Sequence, residues 1–294
     1  MTINYIPKVI HLIDITGTGK LEQATKYSMA LKKFASDYEI KVWTNDNLPD
    51  VVTQNTYYRA AISNSQYAFA SDVARMWVLL NEGGIYLDSD VELKKSFNPI
   101  LKYNFFAGYE SQYTLSTACV GAMKNNSIVR EVWDRYSSKS ALSIESFLKV
   151  PNVEYLSIAA MNHGFTLNGN ESVKSNQILF KQPIFSTRFF YDRTKTVEQV
   201  ETMAIHQFSG SWTNKVKFKN TIIKVGQKLF GDRLFLWMRI YHRHTRRYWD
   251  LNYTWIMKNR WLILHNQYYD GIIVWNKVRY PRMFLFSWYR LVRL

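Results

Sequence analysis

The segment GGIYLDSDVEL, residues 83–93, ends a short apolar strand in two aspartates, Asp88 and Asp90. In open α/β sheets, ligands bind just beyond the carboxyl ends of the strands. Residues two apart on an extended chain point to the same side, so both carboxylates are expected to face one site. Two like charges this close are costly unless a positive charge lies between them. Because oxygen ligands suit Mg²⁺ and Mn²⁺, the pattern indicates a divalent metal site.

The sequence before this segment decides between a metal site and a solvated turn, where D-x-D also occurs. The run QYAFASDVARMWVLLNEGG, residues 66–84, has apolar residues at helical spacing, and Gly83 is placed to be a left-handed C-terminal cap. Asp72 and Arg75 lie three apart on one helix face. Such a pair is often only a surface ion pair, worth about 0.2–1 kcal/mol. Since this helix leads directly into the D-x-D strand, both side chains are expected to face its cleft.

The remaining patterns of the first 212 residues are typical of an α/β domain. Residues 5–15 predict a buried strand, residues 21–38 a helix and residues 39–46 a second strand, which together favour a parallel βαβ unit. Further strands are predicted over residues 85–93, 105–110, 118–123 and 202–212, and a short helix with an Asn or Ser cap over residues 125–136.

The positive charge is concentrated at one end of the chain. The 294 residues carry a net charge of +15, and residues 213–294 hold 17 Lys and Arg against 3 Asp and Glu, a net of +14. The first 212 residues therefore have a net charge of +1. The final segment also holds 18 of the 47 aromatic residues. We therefore predict a body over residues 1–212 and a basic, aromatic C-terminal helical region over residues 213–294.

This C-terminal region is expected to associate with an anionic membrane surface. Basic helices with Trp and Phe lie in the plane of a membrane, and each basic residue contributes about 1 kcal/mol near an anionic leaflet. A packed helical subdomain that is basic on its outside is the alternative. Binding of single-stranded nucleic acid is a second one, but the many aliphatic residues of the segment are not needed for stacking on bases, so no nucleic acid partner is expected.

The compartment is expected to be the cytoplasm. One cysteine, Cys119, excludes an internal disulfide and suits a reducing environment. The first 20 residues show no basic stretch followed by a long apolar run, and no window approaches the roughly 18 apolar residues of a membrane span. The expected location is peripheral, on the inner face of the cell membrane.

Three motifs in order resemble glycosyltransferase family 32, whose core is shared by the clostridial glucosylating toxins. The central one is Ser71-Asp72-x-x-Arg75 followed by Gly83-Gly84-x-Tyr86-x-Asp88-x-Asp90. The opening IPKVIH, residues 6–11, resembles the first strand of that family, and AIHQFSGSW, residues 204–212, resembles its closing H-x-x-x-G-S-W element. The resemblance covers residues 5–212.

The resemblance implies a GT-A-type α/β fold with a mixed, mostly parallel sheet that binds a nucleotide sugar. By position, Asp88 and Asp90 hold Mn²⁺ or Mg²⁺ and the donor diphosphate and ribose. The other implied site residues are Asp72 and Arg75 at donor-sugar hydroxyls, His206 at the metal or diphosphate, and Ser211 and Trp212 over the phosphates. Where the family has an aromatic residue near the base, this chain has Asp14, which leaves the base open, with UDP as the first choice.

The implied activity is transfer of a hexose from a nucleotide sugar to a glycan acceptor, with retention of anomeric configuration. The membrane-directed tail favours a lipid-linked acceptor in polysaccharide (capsule-type) biosynthesis. A protein acceptor, as with the related toxins, is the alternative within this class. A metal-dependent phosphohydrolase that uses the same carboxylates on a diphosphate is the alternative of a different class.

Overall fold

The structure is a computed structural model, and it describes residues 5–16, 26–110, 114–137, 152–187 and 198–207. The chain divides into two units, Met1–Trp212 and Thr213–Leu294. All residues of the second unit lie outside the described ranges. The expected basic helical region therefore stays a prediction.

A seven-stranded mixed sheet forms the centre of the first unit, with the strand order β2-β1-β3-β6-β5-β8-β7. Strands β1, β2, β3, β5 and β8 run in one direction, and β6 and β7 run in the other. A separate two-stranded sheet pairs β4 with β9. The strands are β1 Val9–Ile13, β2 Glu39–Trp43, β3 Gly84–Leu87, β4 Val91–Leu93, β5 Phe105–Tyr109, β6 Leu115–Ala122, β7 Ser172–Lys174, β8 Gln177–Phe180 and β9 Ala204–His206. The predicted α/β class and mostly parallel sheet are confirmed.

Six α-helices flank these strands in the described residues. They are α1 Lys26–Phe34, α2 Asp50–Thr53, α3 Thr56–Ser63, α4 Tyr67–Asn81, α5 Ser127–Ser137 and α6 Asn152–Asn162, and short 3-10 helices span Asn98–Ile100 and Gln182–Ile184. Strands β1 and β2 are parallel with α1 between them, which confirms the predicted βαβ unit. Asn126 caps α5, since its side-chain oxygen accepts from the Ile128 and Val129 N–H groups.

The segment over residues 85–93 is not the single strand that the sequence predicts. Strand β3 ends at Leu87, and the Val91 N–H donates to the Asp88 carbonyl at 3.0 Å, which closes a turn over residues 88–91. Strand β4 then leaves the main sheet to pair with β9. The two aspartates therefore converge because a turn holds them, and not because they alternate along an extended strand.

The helix before this segment is as predicted. Helix α4 ends at Asn81, and Gly83 follows with a φ of +71°, the left-handed conformation expected of a C-terminal cap. Gly84 then has a φ of +104° and begins β3. Two glycines thus turn the chain directly from α4 into the strand that leads to Asp88.

A cluster of phenylalanines lies within the core of the main sheet. Phe97 and Phe185 are buried and stack on Phe106 with ring centroids 5.9 and 5.6 Å apart. Phe106 stands opposite Gly121 in the β5–β6 pair, and a Cβ on Gly121 would lie 2.1 Å from the Phe106 ring. The ring therefore occupies the space that any other residue at 121 would need.

Two further expectations concern Cys119 and membrane spans. Cys119 is buried, as expected of a structural thiol, and burial raises its pKa. Among the residues that the structure describes, no helix has both the length and the apolar character needed to cross a bilayer.

Gly121→Ala tests the packing of Phe106 against Gly121 in the core. The added methyl group overlaps the Phe106 ring, and overpacking of a well-filled core typically costs about 1–3 kcal/mol. We expect a loss of that size in the free energy of unfolding, measured by denaturant titration. In a Phe106→Leu background the same change should cost less, because the ring is gone. An equal cost in both backgrounds would contradict this account.

Candidate active site

Three side chains that could bind a metal converge where the main sheet meets the small one. Asp88 follows β3, Asp90 lies in the turn after it, and His206 ends β9. Each offers one ligand atom, and these three atoms all lie within 4.8 Å of one another. His206 Nε2 is 3.4 Å from Asp90 Oδ1 and 3.8 Å from Asp88 Oδ2. The sequence placed all three at a metal, and the structure brings them together.

Backbone hydrogen bonds fix these three residues. The Asp88 N–H donates to the Ala118 carbonyl on β6 at 2.8 Å, which continues the β3–β6 ladder by one residue. Val91 pairs with His206 between β4 and β9, and the Gln207 N–H donates to the Asp90 carbonyl at 3.2 Å. Residues separated by more than 100 positions in the sequence are therefore locked together by strand pairing.

Arg75 joins the helix to the end of the strand. Its Nη2 lies 3.1 Å from Asp88 Oδ1 and 3.2 Å from Asp72 Oδ1, while Nη1 donates to the Thr117 carbonyl at 2.8 Å. The residue is only 5% exposed. Its Nε is buried and has no hydrogen-bond partner among the described residues. The structure thus brings Asp72 and Arg75 to the end of the strand that carries Asp88, and the pair is buried rather than a surface ion pair.

Tyr86 lies beneath the guanidinium and holds the Asp88 carboxylate. The Tyr86 hydroxyl donates to Asp88 Oδ1 at 2.6 Å, and the Arg75 guanidinium carbon lies 4.3 Å from the centre of the tyrosine ring. Burial raises the pKa of Tyr86, so the hydroxyl keeps its proton. Since Tyr86 and Arg75 both occupy Oδ1, the other carboxylate oxygen of Asp88 is directed toward His206.

The Asp72 side chain is more deeply buried than that of Asp88. Asn152, the first residue of α6, donates from Nδ2 to Asp72 Oδ1 at 3.4 Å. Burial raises the pKa of Asp72 to about 7, with Arg75 acting in the opposite direction and Asp88 adding to the rise. The Oδ1 atom of Asn152 is buried without a partner among the described residues. Unsatisfied polar atoms on Arg75 and Asn152 thus flank one carboxyl group.

Three buried tyrosines surround that carboxyl group. Tyr136 lies 5.0 Å from Tyr57 and 5.7 Å from Tyr155, measured between ring centroids. Burial raises the pKa of each of the three, and the charge of Asp72 adds to each rise. Aromatic side chains therefore help to bury the Asp72 carboxyl group.

The two neighbouring acids raise the pKa of His206. Burial alone would lower the pKa of this imidazole, but the hydrogen bond to Asp90 and the charges of Asp88, Asp90 and Glu110 together raise it. An excess of negative charge therefore meets at these ligand atoms. This excess of negative charge fits a divalent cation. The oxygen and nitrogen ligand atoms, which lie within 4.8 Å of one another, fit it as well.

The other site residues predicted from the sequence are Ser211, Trp212 and Asp14. Ser211 and Trp212 lie outside the described residues, so their expected contact with phosphates stays a prediction. Asp14 follows β1, where its N–H donates to the Trp43 carbonyl at 2.8 Å and its Oδ1 accepts from the Thr16 hydroxyl at 2.8 Å. No role is predicted for Tyr86, although it belongs to the quoted motif. Asn152 is missed altogether, because no periodic pattern marks it.

Comparisons with known proteins agree with this geometry. Residues 22–107 match the family model described as "Glycosyltransferase sugar-binding region containing DXD motif". This range holds Asp72, Arg75, Asp88 and Asp90, and it ends before Asn152 and His206. The chain is 28% identical to inositol phosphoceramide mannosyltransferase 3 of Schizosaccharomyces pombe over 132 residues, 43% of this chain and 36% of that protein.

A second relative is the uncharacterized glycosyltransferase L373 of Acanthamoeba polyphaga mimivirus, 30% identical over 105 residues, 34% of this chain and 42% of that protein. The matches thus span less than half of either relative. The prediction that the chain carries a glycosyltransferase region is confirmed, while its assignment to family 32 and to capsule synthesis is not.

Two solved structures are distant matches. The PaToxG glycosyltransferase is 20% identical, covers 54% of this chain and 70% of its own, and has a TM-score of 0.39. A glycosyltransferase involved in glycosylation of the major capsid of PBCV-1 is 14% identical, covers 68% of this chain and 93% of its own, and has a TM-score of 0.37. The substrates of those enzymes are not carried over to this chain.

Tyr86→Phe tests how the Asp88 carboxylate is held. Loss of the hydroxyl removes the 2.6 Å hydrogen bond to Oδ1 and leaves the ring under Arg75. Partners of metal ligands typically contribute about 10–100-fold to metal affinity. We expect the dissociation constant for Mn²⁺, measured by calorimetric titration, to rise by about tenfold or more. The control is Tyr103→Phe, whose ring packs on Phe180 in the core; an effect as large in that variant would show that the loss is general.

Proposed function

We propose that this protein is a metal-dependent glycosyltransferase that moves a hexose from a nucleotide sugar to a glycan acceptor. The observation that carries the proposal is the convergence of Asp88, Asp90 and His206 at one point, with Arg75 joining that point to Asp72. A carboxylate pair with one histidine would bind a divalent cation. An arginine and a buried carboxyl group with unsatisfied neighbours would bind the sugar.

Each residue of the site has a distinct role in this proposal. Asp88, Asp90 and His206 would hold Mn²⁺ or Mg²⁺, whose chemistry is to neutralise the charge of the departing nucleoside diphosphate. Arg75 keeps Asp88 in place, and its buried Nε, which has no partner among the described residues, would be available to the donor. Asp72 and Asn152 accept or donate hydrogen bonds to hydroxyls of the sugar.

The stereochemistry and the base rest on the resemblance to family 32. Retention of configuration, by attack of the acceptor on the face that the diphosphate leaves, is part of this proposal. Asp14 lies at the end of β1, next to β3 in the sheet, and would meet the edge of the base rather than stack on it. UDP is the first donor nucleotide to test.

A lipid-linked acceptor at the cytoplasmic face of a membrane completes the proposal. Residues 213–294 carry a net charge of +14 together with 18 aromatic residues, which favours an anionic surface. One relative is named for transferring mannose to inositol phosphoceramide, an acceptor that is itself a lipid. Polysaccharide biosynthesis on a lipid carrier is the setting that this combination favours, and a protein acceptor is the second candidate.

Removal of either metal-binding carboxylate tests the activity. We expect the parent protein to cleave one member of a panel of nucleotide sugars in the presence of Mn²⁺, and EDTA to abolish the cleavage. Asp88→Asn and Asp90→Asn should each lower kcat/KM by about 100-fold or more, because a charge-neutralising metal contributes several kcal/mol. The matched control is Asp134→Asn on the exposed face of α5.

Two results of that assay would contradict the proposal. Donor cleavage by the two variants at the parent rate would remove the carboxylates from the chemistry. Hydrolysis of the donor diphosphate to a nucleoside monophosphate and a sugar phosphate, with no sugar transferred to an added acceptor, would favour the phosphohydrolase.

Vesicle binding tests the membrane part of the proposal. The full-length protein is expected to float with vesicles that contain phosphatidylserine, and to dissociate at high salt because exposed charges are then screened. Vesicles of phosphatidylcholine alone are the control, to which binding should be much weaker. A shift of single-stranded RNA in a gel, without flotation on either vesicle, would favour the nucleic-acid alternative.

A further inference from the structure

A buried histidine outside the site bridges the elements that carry it. His11 lies in the middle of β1, fully buried, and pairs with Lys41 of β2 on one side and Tyr86 of β3 on the other. The proposed reaction assigns nothing to this side chain. Both of its ring nitrogens are nevertheless engaged by hydrogen bonds.

The partners fix which nitrogen holds the proton. The Trp43 indole N–H donates to His11 Nδ1 at 3.0 Å, and an indole nitrogen can only donate, so Nδ1 must accept. His11 Nε2 lies 2.7 Å from the Gly83 carbonyl, which can only accept, so Nε2 carries the proton. Burial lowers the pKa of His11, in agreement with a neutral imidazole.

The Gly83 carbonyl belongs to the turn that joins α4 to β3. Gly83 ends the helix with its N–H bonded to the Leu79 carbonyl at 3.1 Å. The His11 ring also packs directly on Gly84, where an added Cβ would lie 2.9 Å from Nε2. His11 therefore contacts both glycines of the turn between α4 and β3.

Trp43 supplies a second connection to the same helix. Its ring meets the ring of Trp77 edge to face, with centroids 6.0 Å apart. Trp77 lies two residues after Arg75 on α4. His11 thus contacts the turn that follows α4, and Trp43 contacts the helix itself at Trp77. Strand β1, which carries His11, also pairs with β3.

We propose that His11 and Trp43 are positioning residues for the active site, which set Arg75 of α4 against Asp88 of β3. The proposal rests on the proposed function for the metal site, whose Mn²⁺ affinity is one of its two readouts; the Arg75–Asp88 distance is independent of it. Arg75 and Asp88 are 3.1 Å apart and sit on opposite sides of the Gly83–Gly84 turn. A small rotation of the helix relative to the strand therefore lengthens this contact and moves a metal ligand.

His11→Leu and His11→Gln test the proposal. Leucine fills the space without a donor, and we expect its Mn²⁺ dissociation constant to rise about tenfold, as for other groups that orient metal ligands. Glutamine can still donate to the Gly83 carbonyl, so it should stay within about threefold of the parent. His163→Leu is the control, because the side chain of His163 contacts Ser127 and Glu131, away from the site. All affinities are measured at a temperature where each variant is fully folded.

A double-mutant cycle separates positioning from general stability. In an Arg75→Lys background the precise contact is already lost, so His11→Leu should change Mn²⁺ affinity by less than about twofold there. An equal factor in both backgrounds would overturn the proposal. So would a crystal structure of His11→Leu in which the Arg75–Asp88 distance is unchanged. That structure does not depend on turnover, so failure to cleave any donor would count against the proposed function alone.

Discussion

The contact between Arg75 and Asp88 is the constraint on which the site depends. It joins a helix to the strand that follows it, and it is buried, with Arg75 only 5% exposed. An isolated buried charge is costly, and removal of one partner from a buried pair typically costs about 3–5 kcal/mol. Asp72 and the Thr117 carbonyl share the same guanidinium. The position of the Asp88 carboxylate is therefore set by a residue outside the proposed set of metal ligands.

The fold brings this contact together with His206 through two sheets. The main sheet ends at Asp88, and the turn over residues 88–91 passes the chain to the small sheet. Pairing of β4 with β9 then places His206 opposite Val91. A metal bound here would touch both sheets, so its binding and the pairing of β9 are expected to stabilise each other.

Local patterns in the sequence were sufficient for much of this site. The helical spacing of Asp72 and Arg75, the glycine cap at Gly83 and the D-x-D pair all lie within 19 residues, where periodicity and turn chemistry decide the structure. The predicted strand through Asp88 and Asp90 was wrong because β4 pairs with a strand more than 100 residues away. Asn152 was missed for the same reason: its role comes from a tertiary contact with Asp72, which no local pattern encodes.

The surroundings of Asp72 hold its carboxyl group away from water, which affects both stability and the proposed binding of a sugar. A pKa raised to about 7 means that the folded state binds a proton that the unfolded chain has released, so ionisation of Asp72 lowers stability as the pH rises from about 4 to 7. Holding this carboxyl group away from water therefore lowers the free energy of unfolding once the group is ionised. Tyr57, Tyr136 and Tyr155 are themselves buried, and the charge of Asp72 raises the pKa of each, so aromatic side chains help to keep water from this carboxyl group. A sugar whose hydroxyls form hydrogen bonds with Asp72, Asn152 and Arg75 would offset part of this cost, which is the physical reason to place the donor sugar there in the proposed reaction.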